Sequence, residues 1–307
     1  MYSFVRLSLN LLSLFAWASS SPLFKRDNTD IDILQFALTL EHLENAFYKQ
    51  ALSKWSANDF AGANFSSNFY TQLQYIVHDE EEHMVFLEQT IRAAGANPVQ
   101  ACTYNLPFTT PADFVASLAT FEGVGTSAYL GAAPLLSSKQ YLTAAAAIMS
   151  TEAIHEAAAR NAIGEIPMAN PFATPLSGNA IYSIASKFIQ SCPSSNAKLP
   201  FHTYPGLNLT QSSPLSVNSS ITLASQGSLS NSTQIYVTFV SGLQIISVTG
   251  RASGNSVSAT VPQQISGQSY VFLTGGNSSN LTDSNILYGP AIIEVTPSNH
   301  TYNASSY

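Results

Sequence analysis

The chain has 307 residues, 45% of them hydrophobic and only 9% charged, with a formal net charge of −7. Core material suffices for one large domain or two smaller ones, and the surface must rely on uncharged polar groups. The acidic balance and the lack of a basic run argue against a nucleic-acid partner.

Arg6 precedes an apolar run from Leu7 to Ala18, and Ala16-Trp17-Ala18 has the small-x-small form of a leader cleavage site. The run is too short to span a membrane. Residues 1–18 therefore read as a secretory signal, and the expected location is extracellular or in the cell wall. Lys25-Arg26 ends residues 19–26 either as a dibasic processing site, leaving Asp27 as the mature start, or as an exposed charge pair. No later run reaches membrane length, and no hydrophobic tail suggests a lipid anchor. Eight Asn-x-Ser/Thr sequons, at Asn64, Asn208, Asn218, Asn231, Asn277, Asn280, Asn299 and Asn303, suit a secreted glycoprotein. In an oxidising compartment the two cysteines, Cys102 and Cys192, read as one disulfide.

Residues 27–204 carry helical patterns. The first helix, 30 to 56, places Ala37, Glu41, Glu44, Tyr48, Ala51 and Trp55 on one stripe, with His42, Asn45 and Lys49 pointing away. Residues 57–66 read as a loop. The second helix, about 67 to 94, has the stripe Leu73, Ile76, Glu80, His83 and Leu87; His78, Glu81, Glu82 and Glu88 fall on solvated faces. Gly95 and Pro98 stop it. After an irregular stretch, Thr110-Pro111 opens a third helix through an N-cap and a proline at the first position. Its stripe is Val115, Leu118, Glu122, Gly125 and Tyr129. Ser137 or Ser138 caps a fourth helix with the stripe Ala145, Ile148, Glu152, His155, Ala159 and Ala162. A short fifth helix is expected from about Gly178 to Gln190. Residues 205–307 contain only Arg251, Asp283 and Glu294 as charges and seven of the eight sequons. Alternating runs at 234–240, 243–248, 256–261, 270–274 and 291–296 predict a small glycosylated β domain, a sandwich.

The helical half contains an echo: a helix with Glu and Tyr seven apart (Glu41 and Tyr48, then Glu122 and Tyr129) is followed by a helix with Glu-x-x-His (Glu80 to His83, then Glu152 to His155). At i and i+3 the acid and the imidazole share a helix face. Two such hairpins packed about an approximate two-fold axis bring Glu41, Glu80, His83, Glu122, Glu152 and His155 together, the recipe for a two-metal carboxylate site in a four-helix bundle. The link between the hairpins must return along roughly 37 Å of helix, and sixteen extended residues reach about 50 Å. Four carboxylates in one dry core repel unless they bind protons or cations. Two divalent cations cancel their charge, and the mixed oxygen and imidazole donors suit two iron or two manganese ions. Tyr48 and Tyr129 read equally as groups that orient those carboxylates and as core aromatics. Glu44, on the stripe where the other repeat has Gly125, could be a further ligand, a proton relay or a supporting acid. Glu156, beside His155, reads as a rim residue or as one that supports the ligands from behind.

The stretches Leu40-Glu41-His42-Leu43-Glu44-Asn45-Ala46-Phe47-Tyr48 and His78-Asp79-Glu80-Glu81-Glu82-His83 resemble the ferritin-like superfamily of ferritins, bacterioferritins, rubrerythrins and manganese catalases. Within it the chain is most similar to a secreted branch, the fungal stress-response and late-sexual-development proteins and the plant desiccation-related proteins. The resemblance covers about residues 28 to 205. It implies that Glu80 and Glu152 bridge the metals, that Glu41 and Glu122 are terminal carboxylates, and that His83 and His155 are terminal imidazoles. The extra Glu44, the β domain and the secreted location depart from ferritin, and the last two make a storage cage the wrong expectation. The first functional expectation is an oxidoreductase acting on O2 or peroxide in a catalase-, peroxidase- or ferroxidase-like way. The second is a non-catalytic protective or cell-wall-associated stress protein that keeps the fold. The third makes the β domain a polysaccharide binder with the bundle as passenger.

Overall fold

The structure, a computed structural model, describes residues 30–229, 234–277 and 280–298. The expected leader, the dibasic pair and the sequons at Asn231, Asn299 and Asn303 lie outside the described residues.

Four long helices form the bundle: α1 (Asp30–Lys54), α3 (Ser67–Ala93), α4 (Pro111–Ala132) and α5 (Lys139–Ala162). Their starts are fixed by local polar chemistry. Ser66 accepts from the Phe69 amide at 3.0 Å, and Ser138 accepts from the Tyr141 amide at 3.3 Å. Thr110 and Asp113 exchange side-chain and backbone bonds in a capping box, with Pro111 just inside. Gly95, at φ +83°, follows α3 in the left-handed region that favours glycine. Asp30 ties the bundle across its end, because its carboxylate accepts from the Ser137 and Ser138 amides at the start of α5.

Two helical expectations change. Residues 57–66 are not all loop: α2 (Ala57–Gly62) forms there, started by Asp59, whose carboxylate accepts from both the amide and the hydroxyl of Ser56 at 2.7 Å. The fifth helix, α6 (Gly178–Ala185), is shorter than expected and gives way to β2 (Ile189–Ser191). That strand pairs with β1 (Thr103–Tyr104) beside the Cys102–Cys192 disulfide, which fastens the crossover after α3 to the chain leaving α6.

The C-terminal part is a sandwich of two sheets. Strands β4 (Leu215–Ser216), β11 (Ile286–Thr296), β10 (Gly267–Thr274), β6 (Tyr236–Ser241) and β7 (Gln244–Thr249) form one, in that order. Strands β3 (Leu207–Leu209), β5 (Ser220–Ser225), β9 (Ser256–Thr260) and β8 (Arg251–Ser253) form the other. Strand periodicity sends alternate side chains to opposite faces. In β10, Val271 and Leu273 enter the core between the sheets, whereas Tyr270 and Phe272 enter the core of the bundle. Val237 and Phe239 of β6 face the first core and Val240 the second. The middle of the five-stranded sheet, β10 and β6, is therefore buried on both sides, and the sandwich shares a hydrophobic core with the helices.

Polar contacts reinforce that junction. Arg160, 2% exposed, places its guanidinium on the Glu294 carboxylate at 2.9 and 2.6 Å, with Glu165 at 3.4 Å. The Ser127 and Tyr270 hydroxyls lie 2.8 Å apart, and the Gln268 amide donates to the Thr120 carbonyl at 3.2 Å. No helix among the described residues is long and apolar enough to cross a membrane.

Candidate metal centre

The six acids and imidazoles singled out in the sequence converge at the middle of the bundle. Glu41, Glu80, Glu122 and Glu152 are at most 1% exposed, His155 is buried and His83 is mostly enclosed. The donor atoms fall into two overlapping groups, each within 4.8 Å: Glu41, Glu80, His83 and Glu152, and Glu80, Glu122, Glu152 and His155. Glu80 and Glu152 belong to both. His83 Nδ1 lies 3.7 Å from Glu41, 3.5 Å from Glu80 and 3.3 Å from Glu152. His155 Nδ1 lies 2.8 Å from Glu80 and 3.5 Å from Glu122.

The two tyrosines are braces, and each braces the other hairpin. Tyr129 of α4 donates to Glu41 Oε1 of α1 at 2.5 Å, and Tyr48 of α1 donates to Glu122 Oε1 of α4. The remaining oxygens of these acids, Glu41 Oε2 and Glu122 Oε2, are buried and without a hydrogen-bond partner. The same holds for both oxygens of Glu80, both of Glu152, and Nδ1 of each histidine. Buried polar atoms are almost always paired, because an unpaired one costs about 1–3 kcal/mol. Eight orphaned donors facing one another are therefore a fit for bound cations, and the set contains no thiolate.

Electrostatics point the same way. Burial raises Glu41 to about 7 against the lowering effect of the Tyr129 hydroxyl. Burial, followed by the repulsion of neighbouring carboxylates, pushes Glu44, Glu80 and Glu152 well above the usual range. Burial draws His83 down to about 4. His155 moves the other way: burial opposes its charge, but Glu122 and Asp79 outweigh it.

Asp79 is a site residue that sequence reading passed over. Its carboxylate meets His155 Nε2 at 3.2 Å, which directs Nδ1 of that ring into the cluster. The one signal was its place next to Glu80, masked by the run of acids around it. Two outward assignments also fail. His42 and Asn45 are buried rather than pointing away. His42 Nε2 meets the Val99 carbonyl of the crossover at 3.0 Å, and Asn45 donates to the Glu80 backbone carbonyl at 2.9 Å. The reason is that α1 is covered on every side, with fifteen of its 25 residues buried.

Glu44 stands outside both four-residue groups. It is buried against Gly125, and a Cβ there would lie 3.1 Å from Glu44 Oε1 and 2.8 Å from Glu152 Oε2. The break in the two-fold echo is thus complementary: one repeat supplies the acid and the other the space for it. Glu156 lines a separate cavity of about 290 Å3 with Arg160, and burial raises it to about 7 despite that arginine. His78, Glu81 and Glu82 are exposed, as expected, and Glu88 pairs with Arg92 at 3.3 Å. The sequons Asn64, Asn208, Asn218, Asn277 and Asn280 are exposed.

Known proteins match at both scales. Residues 29–165 match the family model of the ferritin-like domain. Over 295 residues the chain is 24% identical to Protein rds1 of Schizosaccharomyces pombe, an alignment covering 94% of this chain and 72% of that protein. The first match spans the four bundle helices with all six clustered acids and imidazoles. The second continues through the sandwich. With this bundle and this cluster in place, residues 29–165 form a ferritin-like domain.

Proposed function

We propose that this protein is a secreted ferritin-like glycoprotein in which Glu41, Glu80, His83, Glu122, Glu152 and His155 hold two iron or two manganese ions for reaction with O2 or peroxide. The observation that carries the reading is the set of eight buried donor atoms without partners. Glu80 and Glu152 each offer both oxygens and would bridge. Glu41 and Glu122 each offer the one oxygen that a tyrosine leaves free, and the histidines each offer Nδ1. Four carboxylates balance two divalent cations, which removes the repulsion among them.

Iron or manganese bound here would supply electron exchange with oxygen species, chemistry that acids and imidazoles lack. The chain's own residues hold the geometry. Tyr48 and Tyr129 fix one oxygen of each terminal acid, Asp79 fixes the His155 ring, and Asn45 anchors the α3 backbone at Glu80. Ile76 and Leu87 on α3, with Ile148 and Ala159 on α5, exclude water above and below the cluster. The disulfide and the five exposed sequons support a secreted location. A role in oxidative, desiccation or developmental stress fits that chemistry.

Elemental analysis of protein purified from its native secretion tests the reading. Two metals per chain are expected, and both should be lost in Glu80→Ala and in Glu152→Ala, because each acid serves both positions. Folded wild-type protein that carries no metal, and takes none up, overturns the proposal. Peroxide disproportionation and ferrous oxidation by the loaded protein then decide between turnover and a structural metal.

A further inference from the structure

Where α1, α4, the end of α6, β3 and β11 meet there is a cavity of about 340 Å3. Packed interiors leave few voids larger than a water molecule, whereas ligand pockets begin at about 300 Å3. The space is thus of ligand size, at the small end.

Its walls are sorted by chemistry. Phe121 and Val124 of α4, Ile184 of α6, Leu207 of β3 and Ile292 of β11 make it apolar. One end is closed by Glu44 and Gly125. Above that glycine the Glu44 and Glu152 carboxylates lie side by side, so this end abuts the acid cluster. The exposed lining residues, Lys187 and Asn208, mark the opening. Among the described residues no carboxylate lies within 4.0 Å of the Lys187 ammonium.

We infer that the cavity is a binding pocket for a medium-chain aliphatic carboxylate, its head on Lys187 and its chain between bundle and sandwich, reaching toward Glu44 and the metal cluster. A cation at the mouth selects an anionic head. Apolar walls select an unbranched or lightly branched tail. The length of the tail is limited by the Glu44–Gly125 floor. Two strands of the β domain supply part of the wall, so that domain is a component of the site.

The inference rests on the proposed metal reading only for what the pocket leads to; binding itself needs no metal. Isothermal titration with octanoate, and with 1-octanol as the headless control, separates the two. Wild-type protein, metal-loaded or metal-free, should bind one octanoate per chain. In manganese-loaded protein octanoate should also change the electron paramagnetic resonance signal. Ile292→Trp, which fills the cavity from the sandwich side, should abolish binding with metal content unchanged; Leu209→Trp fills it from β3 should that variant misfold. Lys187→Gln should weaken octanoate about fivefold, the scale of a partly exposed ion pair, and leave 1-octanol unaffected. Failure of wild type to bind octanoate, binding that survives both plugs, or indifference to Lys187→Gln overturns the inference. A chain that binds octanoate but never metal overturns the metal reading and leaves the pocket standing.

Discussion

Tyr129→Phe removes one hydroxyl and leaves the ring in place. That hydroxyl donates to Glu41 Oε1 at 2.5 Å, with both residues buried. A hydrogen bond to an ionised group contributes about 1.5–3 kcal/mol. Its worth differs between the two states of the site. With a cation bound, Glu41 is ionised and needs the donor. Without one, burial raises Glu41 to about 7, so near neutral pH it is half protonated and depends on the donor less. The bond therefore favours the metal-bound form, and its loss should weaken metal binding about 10- to 100-fold. The effect should fall on the half of the cluster holding Glu41 and His83. Competitive titration of manganese against a chelator at pH 7 should find two tight sites in wild type and one in the variant, with unchanged far-ultraviolet circular dichroism. Two sites unchanged within twofold would refute the brace, and equal weakening of both would refute its assignment to one half.

Gly131→Ala would put a Cβ 1.8 Å from the Leu176 carbonyl oxygen, backbone that cannot swing aside. Urea unfolding should show a loss of about 3 kcal/mol, against less than about 0.5 kcal/mol for Gly62→Ala, whose Cβ meets nothing within 4 Å. Arg160→Met strands Glu294 and should cost about 3 kcal/mol, part of which the added Glu294→Gln should restore; full additivity of the two would refute the pairing. Metal-free protein should lose thermal stability as pH rises above about 6.5. Acids whose folded pKa is raised stabilise fully below about 4.5 and lose that contribution as pH climbs through the raised value, and Glu44, Glu80 and Glu152 are all raised. His83, lowered to about 4, has the opposite sign, but its contribution is already complete above about 6.5. Metal-loaded protein should gain stability over the same range, since its ligands must be deprotonated; parallel curves for the two forms would refute the coupling.

The helical stripes located the cluster because an inward acid between apolar turns has no ordinary surface reading. Glu41, Glu80, Glu122 and Glu152 were visible for that reason. His42 and Asn45 were misplaced because a helical wheel states which face meets the bundle axis, not what covers the other faces. The crossover at Val99 and the carbonyl of Glu80 cover them here. The role of Gly125 could not be read from spacing, since it depends on two carboxylates brought over it by other helices. Among the strands, β6, β7, β9, β10 and β11 announced themselves by alternation. Strands β3, β4 and β8, two or three residues long, are held by neighbours rather than by any pattern of their own. Nor did alternation show that β10 is buried on both faces.

The crossed tyrosines make each hairpin a guarantor of the other. The acid of α1 is steadied from α4, and the acid of α4 from α1. A fragment holding α1 and α3 would carry Glu41, Glu80 and His83 but no hydroxyl for Glu41. A fragment holding α4 and α5 would leave Glu122 equally unsupported. Neither half is a smaller version of the whole. Mixing the two fragments is then an assembly reporter: tight cation uptake should appear only when they associate.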